Sequence, residues 1–281
     1  MDVCRVYGEI RSMAMRLSTV LGGKAMATKL ELQEAVEARG AILYDGPSLL
    51  DGAPIVVIAT GLRSKSTNSK TGAMVQTYIL RSDVHPVEAV HSGADESICG
   101  VGENACPLRP AIAEEGAARC YVNKGFGPAA VYRGYLRGIY PVATAADVVQ
   151  WAKGRPIRFG TYGDPAAAPL EIWEGLAAVG KRTGYSHQWR IAAGLSPLAM
   201  ASVGSSDEAL LAQAMGWRTF RVRRADEALL PGEIVCPASE EGGRRTQCET
   251  CGLCSGKREN DRRANIAIID HGPTARKVSA S

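Results

Sequence analysis

Short runs of β-branched and other apolar residues alternate with amphipathic segments along most of the chain. The apolar runs predict strands over residues 54–60, 75–80, 157–162, 186–190, 198–203, 219–223, 233–236 and 265–270. Apolar residues three and four positions apart predict helices over 28–39, 127–137, 145–153, 170–182 and 207–215. Thr144 and either Ser205 or Ser206 precede two of these helices and are suitable N-caps. Strands that alternate with helices are typical of parallel βαβ units, so the pattern predicts the α/β class.

Polar and ligand-type residues fall at or just after the ends of the later predicted strands. They are Asp164, His187, Ser202, Arg223, Cys236 and His271. Right-handed crossovers allow either a barrel or an open doubly wound sheet. In a (β/α) barrel the carboxyl ends of all strands converge on one mouth, where the chemistry sits. We therefore expect a partial (β/α) barrel with two cysteine-rich loops.

Composition and charge limit the class of protein. The chain has 281 residues, of which 46% are hydrophobic and 22% charged, which excludes a wholly disordered chain and a coiled coil. No apolar run reaches the roughly 18–20 residues that a membrane-spanning helix needs, so we expect no membrane partner. The net charge of +4 permits contact with a nucleotide or nucleic acid without establishing it.

The domain organisation is expected to be simple. Residues 1–25 read as a leader that is disordered or not native, because Met26 opens a better-patterned segment. Their apolar residues are interrupted by arginines, which argues against a signal peptide and predicts a cytoplasmic location. We expect one domain over 26–272, metal-binding loops at about 82–126 and 236–263, and a disordered tail over 273–281.

The C-terminal cysteines form the sharpest motif. Cys248, Cys251 and Cys254 have the spacing C-x2-C-x2-C, and Cys236 precedes them. In a reducing compartment, grouped thiols indicate metal ligands before disulfides. Three thiols at this spacing suit one corner of an iron–sulfur cluster, and Cys236 is a natural fourth ligand. A zinc ion held by four thiolates is the competing interpretation.

A second group of cysteines lies in the long segment after the strand over 75–80. Cys99, Cys106 and Cys120 have the spacing C-x6-C-x13-C, which matches no standard motif but still indicates ligands. His85 and His91 lie upstream and are candidates for a fourth ligand, or are ordinary loop residues. His271, after the last strand, is a further candidate metal ligand. Whether the two groups serve one centre or two stays open.

The order of these parts resembles the radical S-adenosylmethionine barrel. In that family a cysteine loop follows the first barrel strand, and the second strand ends in a Gly-Gly-Glu-Pro-like turn. Here the cysteine loop follows the strand over 75–80, and Tyr162-Gly163-Asp164-Pro165 ends the next strand. The cysteine spacing departs from the family's C-x3-C-x2-C. The chain also resembles cysteine-rich proteins of bacteriophages and mobile elements, which have no established activity.

The resemblance implies roles for particular residues. The thiols of the first group would bind a [4Fe–4S] cluster whose open iron takes S-adenosylmethionine, and Gly163 and Asp164 would approach the amino group of that cofactor. Ser202 and Arg223 are further candidates for cofactor binding. The C-terminal cysteines would hold an auxiliary cluster or zinc. Asp164 and His187 are the candidate catalytic groups, His187 as a general base.

Three functions follow as alternatives. The first is an iron–sulfur barrel enzyme that modifies a nucleotide, nucleobase or nucleic acid. The second is a zinc-stabilised transferase similar to tRNA-guanine transglycosylase, with Asp164 and Asp270 as nucleophile and base. The third is a non-enzymatic zinc protein that binds nucleic acid through the basic residues of 63–70 and 244–263. No P-loop, dinucleotide-binding glycine fingerprint or nucleophile elbow is present, which argues against the common nucleotide hydrolases, dehydrogenases and esterases.

Overall fold

The computed structural model describes residues 39–109 and 120–270, which belong to the unit Ala38–Ser281. The leader over 1–25, nearly all of the helix predicted over 28–39, His271 and the tail over 273–281 lie outside the described residues.

Nine strands form one mixed sheet within the described part of the chain. They are β1 (Gly40–Pro47), β2 (Pro54–Thr60), β3 (Val75–Arg81), β4 (Ile157–Tyr162), β5 (Arg182–Ser186), β6 (Met200–Val203), β7 (Thr219–Arg223), β8 (Glu233–Val235) and β9 (Asn265–Ile269). Their order across the sheet is β1-β2-β3-β4-β5-β6-β7-β9-β8. The first and last strands of this order do not pair with each other, so hydrogen bonds do not close the sheet.

The sheet changes from antiparallel to parallel at β3. Strands β1, β2 and β3 pair antiparallel. Every later pair is parallel, from Val75 opposite Ile157 to Val235 opposite Ala267. The carboxyl ends of β3 to β9 therefore lie along one edge of the sheet, and the connections that leave this edge carry the cysteines.

Seven α-helices are assigned in the described residues. They are α1 (Pro86–Ser92), α2 (Glu96–Cys99), α3 (Gly127–Leu136), α4 (Ala145–Ala152), α5 (Leu170–Ala177), α6 (Ser206–Ala214) and α7 (Cys248–Cys251). Thr144 and Asp147 form a capping box at α4, and Ser205 caps α6 by accepting a hydrogen bond from the amide of Glu208. None of these helices is long and apolar enough to cross a membrane.

The core lies mainly between the sheet and its helices. Ile55, Ile58, Phe159 and Trp173 are fully buried in the largest apolar cluster. Trp173 packs against Phe159 with ring centroids 5.3 Å apart, and its indole N–H donates to the carbonyl of Pro165 over 2.8 Å. Burial of a large ring with its polar atom paired stabilises the layer that supports the end of β4.

Several predicted elements were displaced or missed. The helix predicted over 170–182 ends at Ala177, because the chain turns at Gly180 with a φ of +86° and enters β5 at Arg182. The strand predicted over 186–190 therefore lies four residues earlier. Strand β1 was not predicted, since its sequence ends in Asp45-Gly46-Pro47 and reads as a turn. The segment predicted as a loop over 82–126 contains α1 and α2.

Candidate functional site

Three cysteines from the segment after β3 line one small cavity; we call Cys99, Cys106 and Cys120 the first thiol set. Cys99 ends α2, and its carbonyl accepts a 2.9 Å hydrogen bond from the amide of Cys106. The amide of Cys120 donates to the carbonyl of Leu108 over 3.0 Å. The cavity has a volume of about 100 Å³. These backbone bonds bring thiols that are 21 positions apart in sequence to the same wall.

Burial shapes the chemistry of this set. It raises the pKa of Cys99 well above the usual thiol value, and the neighbouring thiols of Cys106 and Cys120 raise it further. Burial also raises the pKa of Cys106 to about 12. All seven described cysteines are free of disulfides. Without a bound cation the thiols of Cys99 and Cys106 are protonated at pH 7, and a metal ion reverses that preference because it binds the thiolate.

A buried arginine fixes the start of the loop. Arg109 donates to a carboxylate oxygen of Asp95 over 2.5 Å and to the carbonyls of Gly93 and Gly100 over 2.8 and 3.2 Å. Both partners of the ion pair are nearly inaccessible to solvent. The guanidinium thus connects the residues before α2 with the residue after it. These contacts fix the position of Cys99, the last residue of that helix.

The loop is also pinned to the end of β5. The side-chain amide nitrogen (Nε2) of Gln188 donates to the carbonyl of Asn104 over 2.7 Å and to that of Cys99 over 3.3 Å. Gly100 lies directly beneath this amide with a φ of +101°. A Cβ at Gly100 would stand 2.6 Å from the carbonyl oxygen of Asn104 and closer still to the amide of Gln188. Only glycine fits this position without displacing the loop.

Alanine at Gly100 is expected to lower the free energy of unfolding by about 2–4 kcal/mol, because backbone strain and a steric clash add. Gly102→Ala is the matched control, since Gly102 also has a positive φ (+55°) but nothing within 4 Å of the added Cβ. The control is expected to cost about 1 kcal/mol. Urea unfolding of the two variants checks this, and equal losses would contradict the role given to Gly100.

Gly163 and Asp164 form the part of the cavity wall at the end of β4. Gly163 has a φ of +81°, and a Cβ there would stand 2.7 Å from the Cβ of Ile79. The amide of Asp164 donates to the carbonyl of Ile98 over 2.6 Å. This turn therefore abuts the residue before Cys99, so that the thiol and the Gly-Asp-Pro turn share one cavity.

The carboxylate of Asp164 is held by the protein itself. One oxygen accepts from the hydroxyl of Ser186 over 2.8 Å and from the amide of Ala166 over 3.0 Å, and the other accepts from the amide of His187 over 2.7 Å. Burial raises the pKa of Asp164, and these hydrogen bonds oppose that rise. The arrangement joins the ends of β4 and β5 at the cavity.

His187 lines the same cavity and is neutral at pH 7, because burial lowers its pKa to about 4. Its ordinary value is 6.5, so the unfolded chain binds a proton more tightly than the folded one. Stability is then full above pH 6.5 and falls as the pH drops towards 4.

His187→Gln is expected to remove part of this acid sensitivity. The wild-type free energy of unfolding should fall by up to about 3 kcal/mol between pH 7 and pH 4 through this group, and the variant should fall by correspondingly less. Urea unfolding at pH 7, 5.5 and 4.5 measures the difference. The exposed His91→Gln variant is the control and should behave as wild type. Parallel pH profiles for His187→Gln and wild type would refute the assignment.

The remaining four described cysteines form the second thiol set, Cys236, Cys248, Cys251 and Cys254. Cys236 follows β8, and its amide donates to the carbonyl of Ala267 on β9 over 2.8 Å. The amide of Cys248 donates to the carbonyl of Lys70 over 2.8 Å, and the carbonyl of Cys254 accepts from the amide of Gly184 on β5 over 3.0 Å. The C-x2-C-x2-C segment is thus fastened at one end to the connection between β2 and β3 and at the other end to β5.

The second thiol set lies in a small apolar cluster of its own. Cys236, Cys248 and Cys254 are buried there together with Met74, Met200, Ile266 and Ile268. Burial raises the pKa of Cys254 to about 12, a hydrogen bond from the hydroxyl of Tyr185 opposes the rise, and the other three thiols of the set add to it. Three of the four thiols, those of Cys236, Cys248 and Cys254, thus share one buried cluster.

The second cavity, of about 330 Å³, lies between the two sets. Cys236 and Cys248 line it, and Leu108, Tyr121, Val122, Thr161, Tyr185, Phe220 and Val222 line both cavities. The buried guanidinium of Arg158 lies 5.5 Å from the ring centroid of Tyr185 and near the phenol of Tyr121. Tyr121 follows Cys120 in sequence and Tyr185 lies near Cys254, so these side chains stand between the two thiol sets.

The predicted site residues divide into those that reach the cavities and those that do not. Asp164, His187, Ser202 and Gly163 line the smaller cavity, and Asp270 lines the larger. Arg223 lines neither; its guanidinium pairs with Glu241 and donates to the carbonyl of Glu227. His85 and His91 face a separate surface depression beside α1. Within residues 39–109 and 120–270, no three His, Cys, Asp or Glu side chains are arranged to hold a metal ion.

Sequence reasoning missed Arg158, Tyr121 and Tyr185. Arg158 is a charged residue inside an otherwise buried strand, and that contrast was the available signal.

Comparison of the chain with models of protein families, with curated proteins and with solved structures gives no match. The case for a function therefore rests on the two cavities and the thiols around them.

Proposed function

We propose that the protein is an iron–sulfur enzyme with a partial (β/α) barrel, and that it acts on a nucleotide, nucleobase or nucleic acid. The observation that carries this is the grouping of seven free thiols into two sets, five of which line two adjoining cavities at the carboxyl edge of a parallel sheet. In α/β sheets that edge is where ligands bind and chemistry occurs.

The first thiol set is assigned to a [4Fe–4S] cluster. Cys99, Cys106 and Cys120 would hold three of its irons, and the cluster, once reduced by an external donor, would supply the electron that cleaves S-adenosylmethionine. The hydroxyl of Tyr162 supports the assignment: it is buried near Cys99 and has no hydrogen-bond partner among the described residues. A cluster sulfur or a thiolate would accept a hydrogen bond from this hydroxyl.

The residues around this set have defined tasks in the proposal. The backbone turn at Gly163 and the hydroxyl of Ser202 both line this cavity and would contact a ligand bound to the cluster. Asp164 holds the ends of β4 and β5 in register, and neutral His187 is positioned to accept a proton in the cavity. The second thiol set holds an auxiliary cluster or zinc.

Electron paramagnetic resonance of protein purified without oxygen and reduced with dithionite tests the proposal. We expect a signal of a reduced [4Fe–4S] cluster that changes when S-adenosylmethionine is added, together with formation of methionine. Cys106→Ser is expected to lose the response while keeping the metal of the second set. A reduced spectrum that is indifferent to S-adenosylmethionine would overturn the radical chemistry.

A zinc transferase is the second candidate, favoured by the aspartates. Asp164 and Asp270 each line a cavity, as a nucleophile and a base would. This candidate requires a colourless protein that contains zinc and no iron after anaerobic reconstitution. In that case covalent trapping of a nucleobase-exchange intermediate on either aspartate becomes the decisive assay.

A further inference from the structure

Unlike the other buried arginines of the described residues, Arg158 faces a cavity and does not pair with a carboxylate. Arg109, Arg221, Arg218 and Arg223 each pair with a carboxylate. None of the ion pairs among the described residues includes Arg158, which is 8% exposed and lines the 330 Å³ cavity. A buried cation without an anion is costly, so an arginine in this setting points to an anionic ligand.

The charges on the cavity wall favour an anion. Lys70 lines the cavity beside Arg158, and the acidic group on the wall is Asp270. Arginine side chains stay protonated in proteins at ordinary pH. The guanidinium therefore stays charged, and its planar fork suits the oxygens of a phosphate.

The rest of the wall suits a flat ring. Tyr78, Tyr121, Tyr185 and Phe220 line the cavity, and Tyr185 and Phe220 pack with ring centroids 4.5 Å apart. Gln76 and Thr161 lie on the same wall, with the hydroxyl of Thr161 donating to the amide oxygen of Gln76 over 2.6 Å. Aromatic surfaces bind nucleobases by stacking, and amide groups read their edges.

We propose that this cavity binds a mononucleotide, with its phosphate on Arg158 and Lys70 and its base against the tyrosines. The inference rests on the proposed function and names its substrate class. The cavity volume is at the lower end of the usual range for small-molecule sites, about 300–1,000 Å³. The nucleotide would lie between the two thiol sets, within reach of both centres.

Isothermal titration of the anaerobically reconstituted protein tests the proposal, with the four nucleoside 5′-monophosphates, the four nucleosides and inorganic phosphate as probes at constant ionic strength. We expect at least one monophosphate to bind at least about tenfold more tightly than its nucleoside, since a charged hydrogen bond is worth about one to two decades in Kd. Absence of binding by every monophosphate would overturn the inference.

Variants separate the roles of the two cations. Arg158→Met is expected to weaken the monophosphate at least about tenfold and its nucleoside little. Lys70→Met and Arg158→Lys are expected to weaken monophosphate binding less than Arg158→Met does. They replace Arg158→Met as the test if that variant does not fold. Arg190→Met is the matched control, because Arg190 pairs with Glu208 at the surface, outside both cavities. Unchanged phosphate discrimination in the Arg158 and Lys70 variants would show that Arg158 only balances the charge of the second thiol set.

Metal analysis of the same samples keeps the two proposals distinct. A protein that binds the monophosphate but holds neither iron nor sulfide would refute the proposed function and leave the nucleotide site standing. A protein that contains clusters but binds no nucleotide would refute the nucleotide site and leave the iron–sulfur chemistry standing.

Discussion

Serine in place of Cys248, Cys251 and Cys254 is expected to remove one metal centre and to destabilise the protein more than any single change in its apolar core. The segment over 236–263 has few apolar residues of its own. Its thiols, backbone hydrogen bonds and side-chain hydrogen bonds fasten it to the rest of the fold: Glu249 accepts from the amide of Ala73, and Arg218 donates to the carbonyls of Leu253 and Ser255. Structural metal sites contribute about 10 kcal/mol or more of apparent folding free energy. Metal content per chain and the Tm measure the loss.

The two thiol sets provide reciprocal controls for this result. Serine at Cys99, Cys106 and Cys120 should remove the metal of the first set and leave that of the second, because each set lines its own part of the wall. Cys4→Ser, outside the described residues and in neither set, should change nothing. Unaltered metal content and Tm after loss of either set would contradict the assignment.

Arg221→Met is expected to lower the free energy of unfolding by about 3–5 kcal/mol, the usual cost of breaking a buried ion pair. Arg221 on β7 and Glu233 on β8 are both fully buried, and a guanidinium nitrogen lies 2.8 Å from a carboxylate oxygen. The pair crosses β9, which lies between the two strands, and so holds the far edge of the sheet. Loss of the arginine strands a buried carboxylate.

Urea unfolding checks this value against two controls. Arg224→Met removes an exposed pair with Asp226 and should leave the free energy of unfolding close to that of wild type. The double variant Arg221→Met, Glu233→Leu should recover part of the stability, since no charge is left buried. A loss below 1 kcal/mol for Arg221→Met would show that water or another cation reaches Glu233.

Strand β7 shows that a local sequence pattern predicts the bounds of a strand but not the orientation or the partners of its side chains. Its bounds, Thr219–Arg223, follow directly from the alternating apolar residues. The pattern does not say which face meets the cavity, and Phe220 and Val222 occupy that face. Arg223 was expected at the mouth, but Arg221 and Arg223 face the other way and pair with Glu233 and Glu241, which lie later in the chain. A pairing of this kind depends on tertiary contacts that no local pattern contains.

The candidate site shows the same division. Spacing alone groups Cys248, Cys251 and Cys254, because three thiols within seven residues are close in any conformation. The position of Cys236 beside them depends on the parallel pairing of β8 with β9. Arg158 stands in a strand that reads as a core strand, and its place between the thiol sets emerges only from the order of the sheet. The metal roles of both sets stay predictions.

The most direct test of the central claim is the iron, zinc and acid-labile sulfide content of protein purified without oxygen, read together with its visible absorption spectrum. The proposal predicts a brown protein with iron and sulfide in equal amounts, enough for at least one four-iron cluster per chain, and a broad absorption band near the wavelengths typical of such clusters. A colourless protein that holds no iron or sulfide after anaerobic reconstitution would contradict it, whether or not zinc is bound.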